Sequence, residues 1–402
     1  MFQRRPLAAT LLIASGLALH AHAVDWPQYQ GDAGRSAVAG EALATPLECN
    51  WVYQATQLPR PAWEEPGREA HRLDFDFAPQ PVIAGGRVFF GSSADDTVRA
   101  LDLASGKVVW RFTTGGPVRF APAVAGERVY ATSDDGWLYC LETATGAVVW
   151  RFRAAPGDDL LLGNGRMISR WPLRSGVAVV GDTVYTVAGM WPGEGIYVYA
   201  LDAETGAVRW RNDSTGIQYV ELPHPGSTGF SGVAPQGYLA VSGDVLIVPT
   251  GRACPAAFDR NTGEFLYCWP HRSWDDAKRG GTWLTTTADL YFNPTREPRG
   301  TSDAYVGEMS PLPNDGMVAY EIATNKPIFT LPGKHRVVVS GDTLYAVGNG
   351  EAAAYDLAAL RAGKSASEAR RWTAPHLRVY SLTLAGDTLF IGGSGVLMAL
   401  DA

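Results

Sequence analysis

Arginine and histidine side chains recur in the segments that separate the predicted strand pairs of this sequence. An arginine guanidinium is a planar fork of donors suited to a carboxylate, sulfate or phosphate, and tryptophan stacks on sugar or aromatic rings. The candidate ligand-binding residues are His71, Arg72, Arg119, Asn164, Arg166, Arg170, Trp171, Trp191, His224, Gln236, Arg252, Arg279 and Arg336. Their types predict a basic, aromatic-lined funnel for an anionic small molecule, an acidic glycan or a partner protein.

These residue types leave more than one class of function open, and no catalytic residue is assigned. We favour a scaffold that binds a ligand or a protein without catalysis. The alternative is an enzyme of lyase or hydrolase type on acidic carbohydrate, in which an arginine neutralises the uronate and His71, His224 or Tyr219 transfers a proton. An arginine of this kind also has a purely structural use, paired with an acid such as Asp134.

The elements that must position these residues are repeats. One pattern, Ala-x-Asp-x-x-Thr-Gly-x-x-x-Trp, runs from Ala200 to Trp210, and close copies run from Ala100 to Trp110 and from Cys140 to Trp150. Weaker copies begin at Ala257, Ala319, Ala354 and Ala399. Each copy predicts a strand, a turn and a strand, in which the carboxylate accepts turn amides and the aromatic packs between repeats. The recurring acids are therefore structural.

A short hairpin with a glycine–acid turn, such as Gly126-Glu127 or Gly181-Asp182, precedes the copies. Together the two features predict seven four-stranded antiparallel units in an all-β fold. The last unit ends after its third strand at Ala402, and an orphan strand, Glu48 to Gln54, contains Trp51. We expect this N-terminal strand to complete the last unit and close the ring.

The repeat resembles the tryptophan-docking motif of pyrroloquinoline-quinone (PQQ)-type propellers, and the opening Asp25 to Asp32 resembles the start of many such proteins. The resemblance implies a seven-bladed β-propeller related to quinoprotein alcohol dehydrogenases and to the outer-membrane-assembly propeller. In a propeller, the loops that enter each first strand and those that join strands two and three share one face, and we expect the funnel there. No adjacent cysteine pair and no haem motif occur in the sequence, so no cofactor and no metal are predicted, and a dehydrogenase using PQQ with calcium is the disfavoured alternative.

Composition and the N-terminal sequence limit the possible partners and the location of the protein. The formal net charge of −7 argues against nucleic acid as a partner. Residues 1–23 have Arg4 and Arg5, an apolar stretch and an Ala-His-Ala cleavage site, which predict a signal peptide and a periplasmic or secreted protein. No later stretch is apolar enough to span a membrane. We expect an extended segment over residues 24–46 and a single propeller domain over residues 47–402.

The sequence has four cysteines, and an oxidising compartment would permit disulfides between them. Cys254 and Cys268 lie at equal distances from Asn261 in a predicted turn. Such positions can face each other across a hairpin, so this pair is the candidate disulfide, with two separately buried thiols as the alternative.

Overall fold

The fold is all-β and is built from a row of four-stranded sheets, as seen in a computed structural model of the chain. The structure describes residues 25–43, 46–62, 75–163, 165–216, 218–221, 228–250, 255–268, 281–294, 316–375, 379–393 and 395–402. Within these residues there are seven four-stranded sheets and three two-stranded pairs. The strands of each large sheet follow in chain order, apart from one N-terminal strand in the last sheet.

The first half of the chain contains sheets 1 to 3 and the hairpin between them. Strand β1 is Val38–Ala39. Sheet 1 contains β2 (Val82–Ala84), β3 (Arg87–Ser92), β4 (Thr97–Asp102) and β5 (Val108–Thr113). Sheet 2 contains β6 (Ala123–Ala125), β7 (Arg128–Thr132), β8 (Trp137–Glu142) and β9 (Val148–Arg153). A hairpin of β10 (Leu160–Gly163) and β11 (Arg166–Ser169) and the short β12 (Ser175–Gly176) then lead to sheet 3, which contains β13 (Ala178–Val180), β14 (Thr183–Ala188), β15 (Tyr197–Asp202) and β16 (Val208–Asn212).

The second half continues the same plan with longer connections. A hairpin of β17 (Gln218–Glu221) and β18 (Thr228–Ser231) and the short β19 (Gly237–Tyr238) precede sheet 4, which contains β20 (Ala240–Ser242), β21 (Val245–Val248), β22 (Ala256–Asp259) and β23 (Phe265–Tyr267). Sheet 5 contains β24 (Thr285–Thr286), β25 (Leu290–Pro294), β26 (Gly316–Glu321) and β27 (Pro327–Pro332). Sheet 6 contains β28 (Arg336–Ser340), β29 (Thr343–Gly348), β30 (Glu351–Asp356) and β31 (Arg370–Pro375), and sheet 7 contains β32 (Val379–Ala385), β33 (Thr388–Gly393) and β34 (Val396–Asp401).

Helix is confined to short insertions. A single 3₁₀ turn, Pro192–Glu194, lies between β14 and β15. Helices α1 (Leu357–Arg361) and α2 (Ala366–Ala369) lie between β30 and β31, and Ser365 and Glu368 form a capping box at the start of α2. Leu357, Leu360 and Ala369 bury the apolar side of these helices against sheets 5 and 6, so the insertion extends the core without interrupting the sheet.

The predicted tryptophan docking is confirmed. The indole nitrogen of Trp110 donates to the Thr143 carbonyl of the next sheet at 2.9 Å. The ring lies against Gly146, whose φ is +74°, and a Cβ at that glycine would come within 2.7 Å of the indole. The repeat needs glycine here because both the backbone angle and the docked ring exclude a side chain. Trp150 and Trp210 make the same contacts with sheets 3 and 4.

Apolar clusters join each sheet to the next. One cluster contains Val82 of sheet 1 with Val129 of sheet 2, and similar clusters link all the later neighbours up to sheets 6 and 7. The core is therefore a series of layers between sheets, as in a propeller, and not one slab between two stacked sheets.

The expected strand at the N-terminus is not found where the sequence predicted it. Residues 48–54 contain no strand, although the Trp51 indole nitrogen donates to the Leu103 carbonyl of sheet 1 at 2.8 Å, as the repeat tryptophans do. The N-terminal strand that joins sheet 7 is β1, which pairs in parallel with β32 at the inner edge. Repeat similarity revealed the tryptophan contact, but it carried no information about this inner edge.

Candidate functional site

Four buried charged side chains form a chain where the connections into sheets 1, 2 and 3 meet. The Arg119 guanidinium lies 2.6 Å from an Asp76 oxygen and 2.7 Å from an Asp134 oxygen. Arg174 donates to the other Asp134 oxygen at 3.0 Å. All four side chains are at most 2% exposed. Two acids and two arginines thus neutralise one another away from water.

The two carboxylates of this ionic chain differ in their surroundings. Burial would raise the pKa of Asp134, but Arg174 and Arg119 on either side outweigh it and hold that pKa below its usual value. Burial raises the pKa of Asp76 above its usual value, because Arg119 and the Ala62 amide compensate less. Asp134 is therefore the central charge on which both arginines depend.

The ionic chain also holds the segment that enters sheet 1. Arg119 donates to the Arg60 carbonyl at 2.8 Å, and the Ala62 amide donates to Asp76 at 2.9 Å. Every one of these contacts lies within the protein. Arg119, expected to bind a ligand, thus has the structural use that the sequence left open, as a partner of Asp134.

Arg166 connects the β10–β11 hairpin to sheet 1. It donates to the Ser93 and Ala94 carbonyls at 3.1 and 3.3 Å and forms an ion pair with Asp96. Burial raises the pKa of Asp96 despite Arg166. The contact anchors the hairpin over the loop between β3 and β4, so the hairpin has a defined position and is more than a long linker.

Arg170, Trp171 and Trp191 lie together at the base of this hairpin. Arg170 is 43% exposed in its side chain, forms an ion pair with Glu194 and lies 5.5 Å from the centre of the Trp171 ring. The Trp171 indole donates to the Glu194 carbonyl, and Trp191 immediately precedes the 3₁₀ turn that carries Glu194. The structure thus brings together three predicted site residues in a polar, half-exposed cluster.

Gln236 and Arg336 lie in other surroundings. Gln236 is buried, and its backbone N–H donates to the Pro249 carbonyl at 2.9 Å. Arg336, at the start of sheet 6, donates to the His335 carbonyl at 2.8 Å and lies 5.2 Å from the centre of the Trp283 ring.

Several predicted residues lie outside the described residues. They are His71, Arg72, Asn164, His224, Arg252, Arg279 and Cys254. The anionic funnel and the bond between Cys254 and Cys268 therefore remain predictions. Cys268 is half-buried and packs against the core cluster of sheets 3 and 4.

Aromatic side chains fill the axis beside the ionic chain. Tyr29 stacks on Tyr238 with ring centroids 3.7 Å apart, and Phe120 meets Tyr238 edge-on at 5.1 Å. The Tyr238 hydroxyl accepts the Ala121 amide at 2.6 Å and donates to Gln80. Residues from the entries of sheets 1, 2 and 4 meet here, which places the group near the axis.

A pyrroloquinoline quinone with calcium does not fit this part of the axis. The stacked rings of Tyr29 and Tyr238 occupy the space that a planar cofactor needs, and the carboxylates of Asp76 and Asp134 already occupy the donors of Arg119. Within the part of the chain that the structure describes, no group of three or more His, Cys, Asp or Glu side chains is placed to hold a metal ion.

Sequence reasoning missed the exposed apolar side of the β10–β11 hairpin. Leu162 faces Met167 across the hairpin, and Leu160 lies on the same side; these three side chains are 74%, 56% and 59% exposed. Ile168 on the other side is fully buried. We call Leu160, Leu162 and Met167 the hairpin face. The signal was present as three consecutive leucines in a connection too long for a simple turn.

The second hairpin extends the same surface. β18 lies beside the 3₁₀ turn that follows Trp191, and Tyr219 on β17 is 67% exposed. The β17–β18 hairpin is therefore a neighbour of the cluster around Arg170, and Tyr219 adds an exposed aromatic side chain to it. An apolar patch with a polar rim is the usual composition of a protein–protein interface.

None of the described helices is both long and apolar enough to cross a membrane.

Among known structures, one of a propeller protein supports the fold. BamB from Moraxella catarrhalis is similar with a TM-score of 0.50 and 17% identity, covering 78% of this chain and 81% of that one. A europium-containing methanol dehydrogenase has a TM-score of 0.48 and 13% identity, with coverage of 91% and 89%. A quinohemoprotein alcohol dehydrogenase from Comamonas testosteroni has a TM-score of 0.48 and 14% identity, with coverage of 91% and 76%.

A search of curated proteins found no match. The family model described as outer membrane protein assembly factor BamB matches residues 57–170 and 162–264, which together are just over half of the chain. The chain is thus a PQQ-like β-propeller protein and belongs to the family of the outer membrane protein assembly factor BamB.

Proposed function

We propose that this protein is an exported, non-catalytic scaffold that binds another protein in the periplasm. The observation that carries the proposal is the hairpin face, a group of large apolar side chains exposed on a well-anchored hairpin. Soluble proteins rarely expose such a group without a partner to cover it. Membership of the BamB family, named for a factor in outer-membrane protein assembly, supports a protein as that partner.

The pairing of the described arginines favours a protein over a small anion as the ligand. Arg119 and Arg166 are taken up by Asp76, Asp134 and Asp96. Arg170 is half-exposed beside Glu194 and brings both charge signs to the rim of the patch. A rim of mixed charge orients a protein partner, and the apolar centre supplies most of the binding energy.

Rigid presentation is part of the proposed role. Arg166 ties one end of the hairpin to sheet 1, and the buried Ile168 ties its underside to the core. A preorganised surface loses little conformational entropy when it binds. The hairpin is therefore suited to dock a partner without rearrangement.

We propose further that the sheets are seven blades of one ring. The contact of Trp51 with Leu103 repeats the contact by which Trp110, Trp150 and Trp210 each join one sheet to the next, and it supports residues 48–54 as the outer closure between sheets 7 and 1. The predicted signal peptide, residues 1–23, supports delivery of this ring to the periplasm.

Site-specific photo-crosslinking tests the proposed surface. A photoreactive amino acid replaces Leu162 in the full-length protein, and a second variant carries it at Leu397, a control residue on β34 that is 60% exposed. We expect a discrete protein crosslink in the periplasm from position 162 and none from position 397.

A matched substitution makes the test quantitative. The crosslinked protein is identified and purified, and its affinity is measured for Leu162→Glu and for the control Leu397→Glu. We expect at least a 30-fold weaker dissociation constant for Leu162→Glu and less than a threefold change for the control. Equal affinities, or equal crosslinking from both positions, would rule out the hairpin face as the docking surface.

A further inference from the structure

Residues 25–39, which we call the axial segment, run along the innermost strands of the sheets. Trp26 exchanges two backbone hydrogen bonds with Ile83 of sheet 1, at 2.7 and 2.9 Å. The segment then meets sheets 2, 3, 4, 5 and 7 in turn. Its carbonyl oxygens accept hydrogen bonds from backbone N–H groups of the sheets. These bonds run from Val124 to Pro27 (2.8 Å), from Val241 to Ala33 (2.8 Å), from Thr286 to Gly34 (2.9 Å) and from Leu384 to Ala37 (2.9 Å).

Sheet 3 is contacted by a side chain that imitates a strand. The Gln28 amide accepts from the Val179 backbone nitrogen at 3.0 Å and donates to the Val179 carbonyl at 2.9 Å. This is the pattern that a neighbouring strand would form. Sheet 6 is contacted through apolar packing, because Ala37 and Val38 lie in one cluster with Val338. One short peptide therefore meets all seven sheets.

Arg35 holds the centre of the axial segment. It is completely buried and donates to the Leu239 and Val177 carbonyls at 2.8 Å each. It also donates to the Asp32 and Tyr29 carbonyls of its own segment at 3.0 and 3.1 Å. A single side chain thus joins the segment to the entries of sheets 3 and 4 and also shapes the segment itself.

The backbone contacts of the axial segment lie at one end of the axis, whereas the Arg35 side chain reaches towards the other end. They involve first-strand residues next to the turns into the second strands, and the turn amides of Gly85 and Gly386 bond to Asp25 and Ala39 at 3.1 and 3.2 Å. The loops that enter each sheet, including the β10–β11 hairpin, lie at the opposite end of the first strands. The backbone of the axial segment therefore lies on the face away from the proposed docking surface.

We infer that the inner edges of the first strands together form a peptide-binding site, and that the axial segment is the peptide bound there. When the segment is bound, it joins sheet 7 to sheets 1–5. Without that ligand the edges expose backbone donors and acceptors of the kind that pair with other chains. Closure of this propeller then comes from inside the ring as well as from Trp51 outside it. The inference does not depend on the proposed partner, because it concerns the other face.

The linker that follows the axial segment permits a direct test. Gly40, Ala42 and Leu43 are exposed, so a protease recognition sequence inserted after Leu43 is accessible in the folded protein. The full mature chain is folded first and cut afterwards. Folding is thereby separated from retention of the segment.

We expect the cut segment to stay with residues 44–402 through gel filtration and to leave only in denaturant. A labelled synthetic peptide of residues 24–43 should then exchange into the site. The same peptide with Arg35→Ala should bind at least 100-fold more weakly. The control peptide with Ser36→Ala should bind within threefold, because the Ser36 hydroxyl bonds to Asp32 inside the segment.

Two results would overturn the inference. One is loss of the cut segment in native buffer, with the unfolding midpoint of the remaining body unchanged. The other is equal binding of the unaltered and Arg35→Ala peptides. Aggregation of the body when the segment is displaced would support closure, because open strand edges pair between molecules.

Discussion

The axial segment and the β10–β11 hairpin are both extended peptides outside the repeats, yet they differ in how they meet water. The axial segment buries its arginine completely and gives its backbone to the sheets. The hairpin is anchored by Arg166 but leaves Leu162 and Met167 in solvent. Non-repeat sequence in this fold thus serves two purposes, of which one holds the ring together and the other offers a surface.

Arg35 is the residue of the axial segment whose loss should lower the stability of the protein most. Arg35→Ala should destabilise the protein by roughly 4 kcal/mol, because it leaves the buried Leu239 and Val177 carbonyls without their side-chain donor and each unmet acceptor costs about 1–3 kcal/mol. It also removes the contacts with the part-buried Tyr29 and Asp32 carbonyls. Urea unfolding of the full-length protein measures the change. The control Arg371→Ala, which removes a half-exposed ion pair with Asp356, should cost at most about 1 kcal/mol. Similar costs for the two variants would contradict a central role for Arg35.

The buried ionic chain, which supports the hairpin side of the molecule, should be the next most sensitive part. Asp134→Asn should cost roughly 3–5 kcal/mol, because it leaves Arg119 and Arg174 without their shared counter-charge. Asp76→Asn should cost less, roughly 1–3 kcal/mol, because among the described residues only Arg119 forms an ion pair with Asp76. Both are measured by chemical denaturation at neutral pH. The reverse order would show that Asp134 is not the central charge.

Closure from outside the ring should matter less than closure from inside. Trp51→Ala should cost roughly 2 kcal/mol, since the Trp51 side chain is only partly buried against sheet 1. Trp110→Ala, at a buried position of the same type, should cost roughly 3 kcal/mol or more. Thermal and urea unfolding give both values. A larger loss of stability for Trp51→Ala than for Arg35→Ala would show that the outer contact contributes more to closure than the axial segment does.

The smallest effect expected is the acid sensitivity of the repeat turns. Hydrogen bonds from Arg209 and Thr205 lower the pKa of Asp202 to about 2, against an unfolded value of about 3.9. The folded state therefore binds this proton less readily, so the stabilisation is complete above about pH 4 and is lost as the pH falls towards 2. Asp202→Asn should lose less stability over that interval. Equal slopes for the two proteins in unfolding experiments between pH 4.5 and 2.5 would exclude this contribution.

The repeated elements were predictable because the same sequence motif recurs several times along the chain. Asp202, Gly206 and Trp210 recur at the same spacing in other copies, and the structure confirms their turn and docking contacts. The structural alternative for arginine paired with Asp134 was also stated, and Arg119 follows it. What the repeats could not reveal was any segment that occurs only once, such as the axial segment.

Sequence alone determined the class of fold, the repeat unit and the docking of Trp110, Trp150 and Trp210, because these depend on a motif that recurs along the chain. Only the tertiary structure decided what Arg35, Arg119 and Leu162 do. Arg35 donates to carbonyls that are 142 and 204 residues away in the chain. The charge of Arg119 is neutralised by Asp76 and Asp134, which come close to it only where the connections into three sheets meet. Whether a charged or apolar side chain is buried or exposed depends on its neighbours in space, and the spacing of residues along the sequence does not identify those neighbours.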